Sequence, residues 1–171
     1  MSQTTHITIE HIVIASNRSF GQVIQALEAH LGLEVDWHAL GQQLLSAHAS
    51  WEQVTQAAQA LIGPSGFTIF GKIDEGVLLR LAGKFRQMCQ YPIGNPLLAV
   101  QLFESRAEAA LYAPLRLVVY EDDEGRTLVA YDRFTSQLAQ YQSEEVTRVA
   151  RLVEHRLEQL LAEVTTEEDH S

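Results

Sequence analysis

The chain has 171 residues, a length that suits one domain with a hydrophobic core of its own. Its net charge is -10 and its basic residues are scattered, which argues against binding to nucleic acid or to an anionic membrane surface. No apolar run is long enough to cross a bilayer, and the N-terminus lacks the pattern of a secretory signal. The single cysteine, Cys89, cannot form an internal disulfide, so we expect a reducing, cytoplasmic environment.

The first part of the chain predicts one strand followed by three helices. The β-branched stretch at 6–14 predicts the strand, and a capping-box pattern begins a helix over 19–32. Two more helical patterns lie within 36–62, and the second of them also begins with a capping box. We interpret 36–62 as a helical insertion or lid within one domain spanning 1–171, because no linker-like composition flanks it.

The remainder of the chain predicts four more strands and two more helices. Residues 77–81 are apolar, but the stretch is too short for its periodicity to decide between strand and helix. A polar loop containing glycine at 121–126 predicts a hairpin between the strands on either side of it. The predicted strands are 67–73, 85–93 (with Phe85, Cys89, Tyr91 and Ile93 on one face), 115–120 and 127–131, and the predicted helices are 96–112 and 143–164.

This order of elements predicts an α+β fold. Hairpin pairing near the C-terminal end implies a mainly antiparallel sheet, and the apolar stripe of the last helix implies that it lies across that sheet. We therefore expect a two-layer sandwich with the helices packed on one face of the sheet.

A series of motifs then resembles one known family. The most specific is Gly94-Asn95-Pro96, and weaker matches occur in order at Phe67–Asp74, Tyr112–Leu115, Glu121–Gly125 and Ala130–Asp132. With these motifs the chain resembles domain-of-unknown-function family 302 over most of its length, in the branch with a helical insertion after the first helix. The resemblance implies a layout similar to half of TATA-binding protein, often a homodimer, and no established activity.

The chain departs from the family pattern at one position. Many members have a histidine after the aspartate that follows the second strand, whereas this chain has Asp74-Glu75. The resemblance therefore carries over no role for an imidazole at this position.

Two interpretations fit the Gly94-Asn95-Pro96 turn. Asparagine is a favoured N-cap residue and proline a favoured first helical residue, so the turn can be purely structural. The same geometry would present free amides and the positive end of a helix dipole to a carboxylate or a phosphate. Because helix caps are common and anion sites are few, the residues favour the structural interpretation without excluding the other.

Our first functional hypothesis is a homodimeric module that binds a small apolar or anionic ligand between the sheet and the helices. The candidate ligand-binding residues are Gly94, Asn95, Pro96, Tyr112, Tyr131 and Asp132. The second hypothesis is an enzyme that uses Asp132 or Glu121, which together could serve as acid and base, with Cys89 or Tyr131. The third is a protein-interaction subunit whose sheet and last helix form the dimer surface.

Metal and cofactor chemistry find no support in the motifs. The seven histidines are not placed at ligand spacing, and no Walker, dinucleotide-binding or Gly-x-Ser-x-Gly motif is present. We therefore expect no metal and no cofactor, and we interpret Cys89 as a buried, inert thiol. Trp37 and Trp51 are expected in the core or, if 36–62 is a lid, as its hydrophobic wall.

Overall fold

A computed structural model describes residues 1–167 of the chain. The described part contains five strands and seven α-helices. The strands are β1 (His11–Ala15), β2 (Thr68–Ile69), β3 (Met88–Gly94), β4 (Leu115–Glu121) and β5 (Thr127–Asp132). The helices are α1 (Phe20–His30), α2 (Trp37–Ser46), α3 (Trp51–Gln59), α4 (Gly76–Leu81), α5 (Pro96–Ser105), α6 (Phe134–Leu138) and α7 (Glu144–Thr165).

The strands form one antiparallel sheet in the order β1-β5-β4-β3-β2. Side chains alternate along each strand, and one set is buried under the helices while the other is half-buried or exposed. The buried apolar residues of β3, β4 and β5 are Cys89, Tyr91, Ile93, Leu115, Leu117, Val119, Val129 and Tyr131. The predicted two-layer α+β sandwich, with an antiparallel sheet and helices on one face, is confirmed.

Helix α7 lies across this buried face, as its sequence pattern predicts. Ser143 caps the helix by accepting a hydrogen bond from the amide of Val146. Its apolar stripe is fully buried and packs near α1, α5 and α6. Burying each such side chain contributes about 2 kcal/mol. The stripe consists of Val146, Val149, Val153, Leu157, Leu160 and Val164.

The first two strands are shorter than predicted. The predicted strand at 6–14 is wrong at its start, because His11 already pairs with Asp132, the last residue of the neighbouring strand β5. The predicted strand at 67–73 pairs with β3 at Thr68–Ile69, and Ile73 returns to it through an isolated bridge. The length of each of these strands depends on where its partner strand begins and ends, and the local sequence pattern holds no information about the partner.

Three further boundaries are corrected or decided by the structure. The apolar stretch at 77–81 is the helix α4. Phe85 is 90% exposed and precedes β3, so its predicted place on the strand face of Cys89, Tyr91 and Ile93 is wrong. The predicted helix at 96–112 breaks at Arg106, whose backbone is extended, and continues as a 3₁₀ turn over Ala107–Leu111. No helix among residues 1–167 is long and apolar enough to cross a membrane.

Candidate functional site

The corner between β3 and α5 is built by three consecutive residues. Gly94 ends the strand beside the Phe70 ring, which would lie 3.2 Å from a Cβ at this position. The Asn95 side-chain oxygen accepts hydrogen bonds from the amides of Leu97 (3.0 Å) and Leu98 (3.1 Å). Its amide nitrogen donates to the Gly66 carbonyl at 2.9 Å and so ties the corner to the loop before β2. Both polar atoms of this side chain are thus bonded to the backbone.

The start of α5 has no amide left for an anion. Pro96 has no N–H, and the next two amides donate to Asn95 as described above. The amide of Ala99 donates to the Asn95 carbonyl at 2.9 Å. Because the first turn is satisfied internally, the geometry favours the capping interpretation over the anion-binding interpretation.

A cavity of about 230 Å³ lies beside this corner. Gly94, Asn95 and Pro96 form part of its wall, and almost all its other lining residues are apolar. The lining comes from α2, the loop after β2, the end of β3, α5, the start of β4, α6 and α7. Residues that represent these walls are Trp37, Phe70, Ile93, Ala99, Phe103, Leu115, Phe134 and Val153. The arrangement can bury apolar surface of a ligand but offers it few polar partners.

Trp37 is the exception to this apolar character. Its ring stacks on Phe70 with the centroids 5.5 Å apart and the planes 22° from parallel. Its indole N–H is buried and has no acceptor among residues 1–167. A buried donor without a partner costs about 1–3 kcal/mol, so the unpaired Trp37 N–H is an unfavourable feature of the cavity wall. Trp51, by contrast, is 59% exposed and does not line the cavity.

The other three predicted site residues do not line the cavity. The Tyr112 hydroxyl accepts a hydrogen bond from the Gln140 side chain at 2.9 Å. Tyr131 is buried in the core, where burial raises the pKa of its hydroxyl. Asp132 is exposed on the opposite face of the sheet and contacts the His11 ring at 2.7 Å. The structure therefore does not gather all six predicted residues into one site.

The predicted acid pair is wrong for a topological reason. Glu121 lies opposite Thr127 at the hairpin end of the two antiparallel strands, whereas Asp132 lies at the far end of β5. Five residues of strand separate these ends, a distance of about 17 Å. Glu121 instead accepts a hydrogen bond from the Gln87 side chain at 3.1 Å. Cys89, which the enzyme hypothesis named beside this pair, is buried, as its interpretation as an inert thiol predicts, and burial raises the pKa of its thiol.

A cluster on the helix-covered side of the sheet was missed from the sequence. The Tyr91 hydroxyl and the Lys72 ammonium both donate to the same oxygen of Glu28, each at 2.5 Å. Burial raises the pKa of Glu28, but these two hydrogen bonds outweigh it and hold that pKa below its ordinary value. Burial and then the bond to Glu28 raise the pKa of Tyr91. The cluster is internally paired and presents no free group for chemistry.

Metal-ligating side chains do not cluster in the described residues. Among residues 1–167, no three histidine, cysteine, aspartate or glutamate side chains lie close enough to hold a metal ion. His170, the last of the seven histidines, lies outside the described residues.

Comparison with known proteins places the chain in a family. The profile described as domain of unknown function DUF302 matches residues 42–164, well over half of the chain. The chain belongs to the DUF302 family. The match includes most of the segment containing α2 and α3, and the assignment of that segment to an inserted branch stays a prediction.

A solved DUF302 structure has the same fold. The crystal structure of an uncharacterized conserved protein DUF302 from Bacillus stearothermophilus aligns over 90% of this chain and 97% of its own, with a TM-score of 0.62. The two sequences are 17% identical, so the similarity concerns the fold alone. No curated protein matches the chain.

Proposed function

We propose that this DUF302 domain binds a small, mainly apolar ligand in the cavity beside the Gly94–Pro96 corner. The observation that carries the proposal is a cavity of about 230 Å³ with an almost wholly apolar lining. A cavity of roughly 150 Å³ is enough for benzene, so this one suits a single ring with one or a few substituents. The internally satisfied start of α5 argues for an apolar rather than an anionic ligand.

The ligand would also carry one hydrogen-bond acceptor. The Trp37 N–H is the unpaired donor of the cavity wall, and it is covered in this structure. An acceptor on the ligand would pair with it once α2 shifts to admit the ligand, which removes the penalty of an unsatisfied donor. The ligand class is therefore a compact apolar molecule with a hydroxyl, carbonyl or similar oxygen.

The segment at 36–62 would serve as the lid of the cavity. Helix α2 supplies Trp37 to the wall but has no fully buried residue, and α3 has only Ala58. An element with little buried apolar surface opens at low free-energy cost compared with a core helix such as α7. The small buried area of α2 and α3 therefore favours ligand entry by movement of α2 rather than of the sheet.

The second part of the proposal is a homodimer formed through the open face of the sheet. The centre of this face is apolar, and register places Val118 beside Ala130 and Tyr120 beside Leu128. Val13 on the adjacent strand is 48% exposed. An apolar centre bordered by polar groups is the pattern of a protein interface, and a second copy of this face would cover it symmetrically. This observation also supports the alternative of a protein-interaction subunit.

The third part is a cytoplasmic location. Cys89 is a buried free thiol, and it is the only cysteine of the chain. A chain that needs no disulfide for stability suits a reducing compartment. Fluorescence microscopy of the chain fused to a fluorescent protein in its own host tests this part separately from the binding experiment. We expect fluorescence throughout the cytoplasm, and fluorescence confined to another compartment would contradict it.

Native mass spectrometry of the protein purified from its own host tests the binding proposal and the homodimer together. We expect twice the mass of the chain plus a bound small molecule that organic extraction releases for identification. A dimer without bound molecule, under conditions that retain a control apolar complex, would contradict ligand binding. A monomer at micromolar concentration would contradict the homodimer, and the presence or absence of a bound molecule on that monomer would still test ligand binding.

A further inference from the structure

A second cavity lies in the groove between α6 and α7, apart from the apolar cavity. It has a volume of about 460 Å³, and its lining includes Arg133, Arg151, Glu154 and His155. The residues from α7 recur every three or four positions and so form one face of that helix. This groove is charged, whereas the cavity beside the Gly94–Pro96 corner is apolar.

Glu154 is the unusual residue of the groove. Only 5% of it is exposed, and it lies among the buried apolar residues of α7. One carboxylate oxygen, Oε2, accepts a hydrogen bond from the amide of Thr135 at 3.1 Å and so caps the start of α6. Arg133, the N-cap residue of α6, makes no side-chain cap of its own. This structural role explains Oε2 but does not involve the other oxygen.

The second oxygen, Oε1, has no hydrogen-bond partner among residues 1–167. A buried polar atom without a partner is rare and costly, and it calls for an explanation such as a bound molecule. Oε1 is covered in this structure, and Arg151 and His155, which line the same groove, are exposed. Exposed side chains change rotamer within nanoseconds, and ligand binding at Oε1 would require a small movement of the groove wall of this kind.

The charges around Glu154 define what it would bind. Arg133 lies 2.9 Å from Glu10, at an angle that does not make a hydrogen bond, and 3.3 Å from Glu158. Arg151 has no ion-pair partner in the described part of the chain and is three residues from Glu154 on the same helix face. The groove thus offers the unpaired oxygen of Glu154 and the unpaired cation of Arg151, three residues apart on one helix face.

We propose that this groove binds the zwitterionic head of a small molecule of the α-amino-acid class, with its ammonium on Glu154 and its carboxylate on Arg151. The ammonium would donate to Oε1, and the guanidinium would pair with the carboxylate in the two-point geometry that arginine favours. A ligand with only one of the two charges would leave the other group of the groove unpaired. The proposal is independent of the apolar ligand and of the dimer.

Thermal unfolding in the presence of amino acids tests the site. Each of the twenty L-amino acids is added at 10 mM to the full chain, with sodium acetate and methylammonium chloride at equal ionic strength as single-charge controls. We expect at least one amino acid to raise Tm by about 2 °C or more, and neither control to do so. No shift with any of the twenty would overturn the proposal.

Two variants then assign the shift to the groove. Glu154→Gln keeps an oxygen for the Thr135 amide but replaces the free acceptor by a donor, and Arg151→Ala removes an exposed cation. Each is expected to reduce the affinity measured by calorimetry about tenfold or more. Arg148→Ala, an exposed arginine of the same helix outside the groove, is the matched control and should bind normally. Unchanged affinity in both groove variants would also overturn the proposal.

Discussion

The apolar cavity and the charged groove differ in how their key polar side chain is used. At the cavity, the Asn95 side chain makes hydrogen bonds to the backbone of Leu97, Leu98 and Gly66. Both of its polar atoms therefore stabilise the corner, and neither is free for a ligand. At the groove, Glu154 uses one oxygen to cap α6 and leaves the other without a partner among residues 1–167. A capping side chain whose polar atoms all have hydrogen-bond partners has a structural role, whereas one with an unpaired polar atom can also bind a ligand.

The same difference separates the two kinds of ligand. Ligand binding in the cavity would be favourable through the burial of apolar surface and through a hydrogen bond to the Trp37 N–H. Binding in the groove would gain free energy by pairing charges, of which the Glu154 carboxylate is largely removed from water and the Arg151 guanidinium is exposed. Substitutions at each place should therefore affect one site and leave the other unchanged.

The largest expected effect is on the corner itself. Asn95→Ala removes the cap of α5 and the bond to Gly66, and it should lower the free energy of unfolding by about 2 kcal/mol. Chemical denaturation measures this loss. Asn95→Asp keeps the cap acceptor and should recover roughly half of it. Ligand retention should survive both changes, and loss of ligand with unchanged stability would show that Asn95 contacts the ligand directly.

The next effect sharpens the comparison by blocking one cavity. Ala99→Phe places a ring in the apolar cavity and should weaken apolar-ligand binding about tenfold or more, with a smaller effect on stability because the cavity has room for the ring. Ala110→Phe makes the same substitution at an exposed position outside the cavity. Calorimetry should find the control unchanged. Equal weakening by both substitutions would argue against this cavity.

The third prediction concerns pH and belongs to the groove. Burial raises the pKa of Glu154 above its ordinary value of 4.5, and the Thr135 amide and Arg133 offset only part of this rise. The folded state therefore holds the proton more tightly than the unfolded state. Below pH 4.5 the group adds no pH dependence, and as pH rises from there through the raised pKa the wild type loses stability relative to Glu154→Gln.

The loss levels off once the folded carboxyl is ionised. Unfolding of both proteins from pH 4 to pH 8 measures it. A difference that stays constant over this range, or that grows in favour of the wild type, would contradict a raised pKa for Glu154.

The smallest effect is expected where the predicted acid pair was placed. Asp132→Asn and Glu121→Gln lie at opposite ends of the hairpin and away from both cavities. Each makes only exposed contacts, so each should change the free energy of unfolding by less than about 0.5 kcal/mol. Binding assays at both sites should show no change. A loss of binding in either variant would place a site on the open sheet face or the hairpin loop.

Features with a local cause could be predicted from the sequence. The cap-and-proline pattern at 94–96 specifies a strand-to-helix corner, and the helical spacing of α7 specifies its buried stripe. The start of β1 could not be found in this way, because it depends on where β5 ends. The prediction of an acid pair was wrong because the two strands of a hairpin are antiparallel, so their C-terminal ends lie at opposite ends of the hairpin.

The unpaired Trp37 N–H and Glu154 Oε1, on which the two binding proposals rest, depend on tertiary packing, but one of them left a signal in the sequence. Glu154 occupies a position of the buried stripe between Ala150 and Leu157, where a charged side chain interrupts the apolar pattern. A charge at such a position of a helical apolar stripe indicates a buried carboxyl. Trp37 left no such signal, since its unpaired N–H arises only from the fold of α2 against Phe70.

The most direct test of the apolar cavity uses the two tryptophans of the chain. In Trp51→Phe the remaining tryptophan is Trp37, which lines the cavity, and in Trp37→Phe it is the exposed Trp51. Cyclohexanol, a single apolar ring with one acceptor and no ultraviolet absorbance, is titrated against each, with methylcyclohexane as the probe that lacks the acceptor.

Binding in the cavity predicts a saturable change in Trp37 emission that cyclohexanol produces at lower concentration than methylcyclohexane. Ala99→Phe in the same background should abolish it, and the emission of Trp51 should not change. A response that never saturates, or that is equal for both tryptophans, would contradict ligand binding in this cavity.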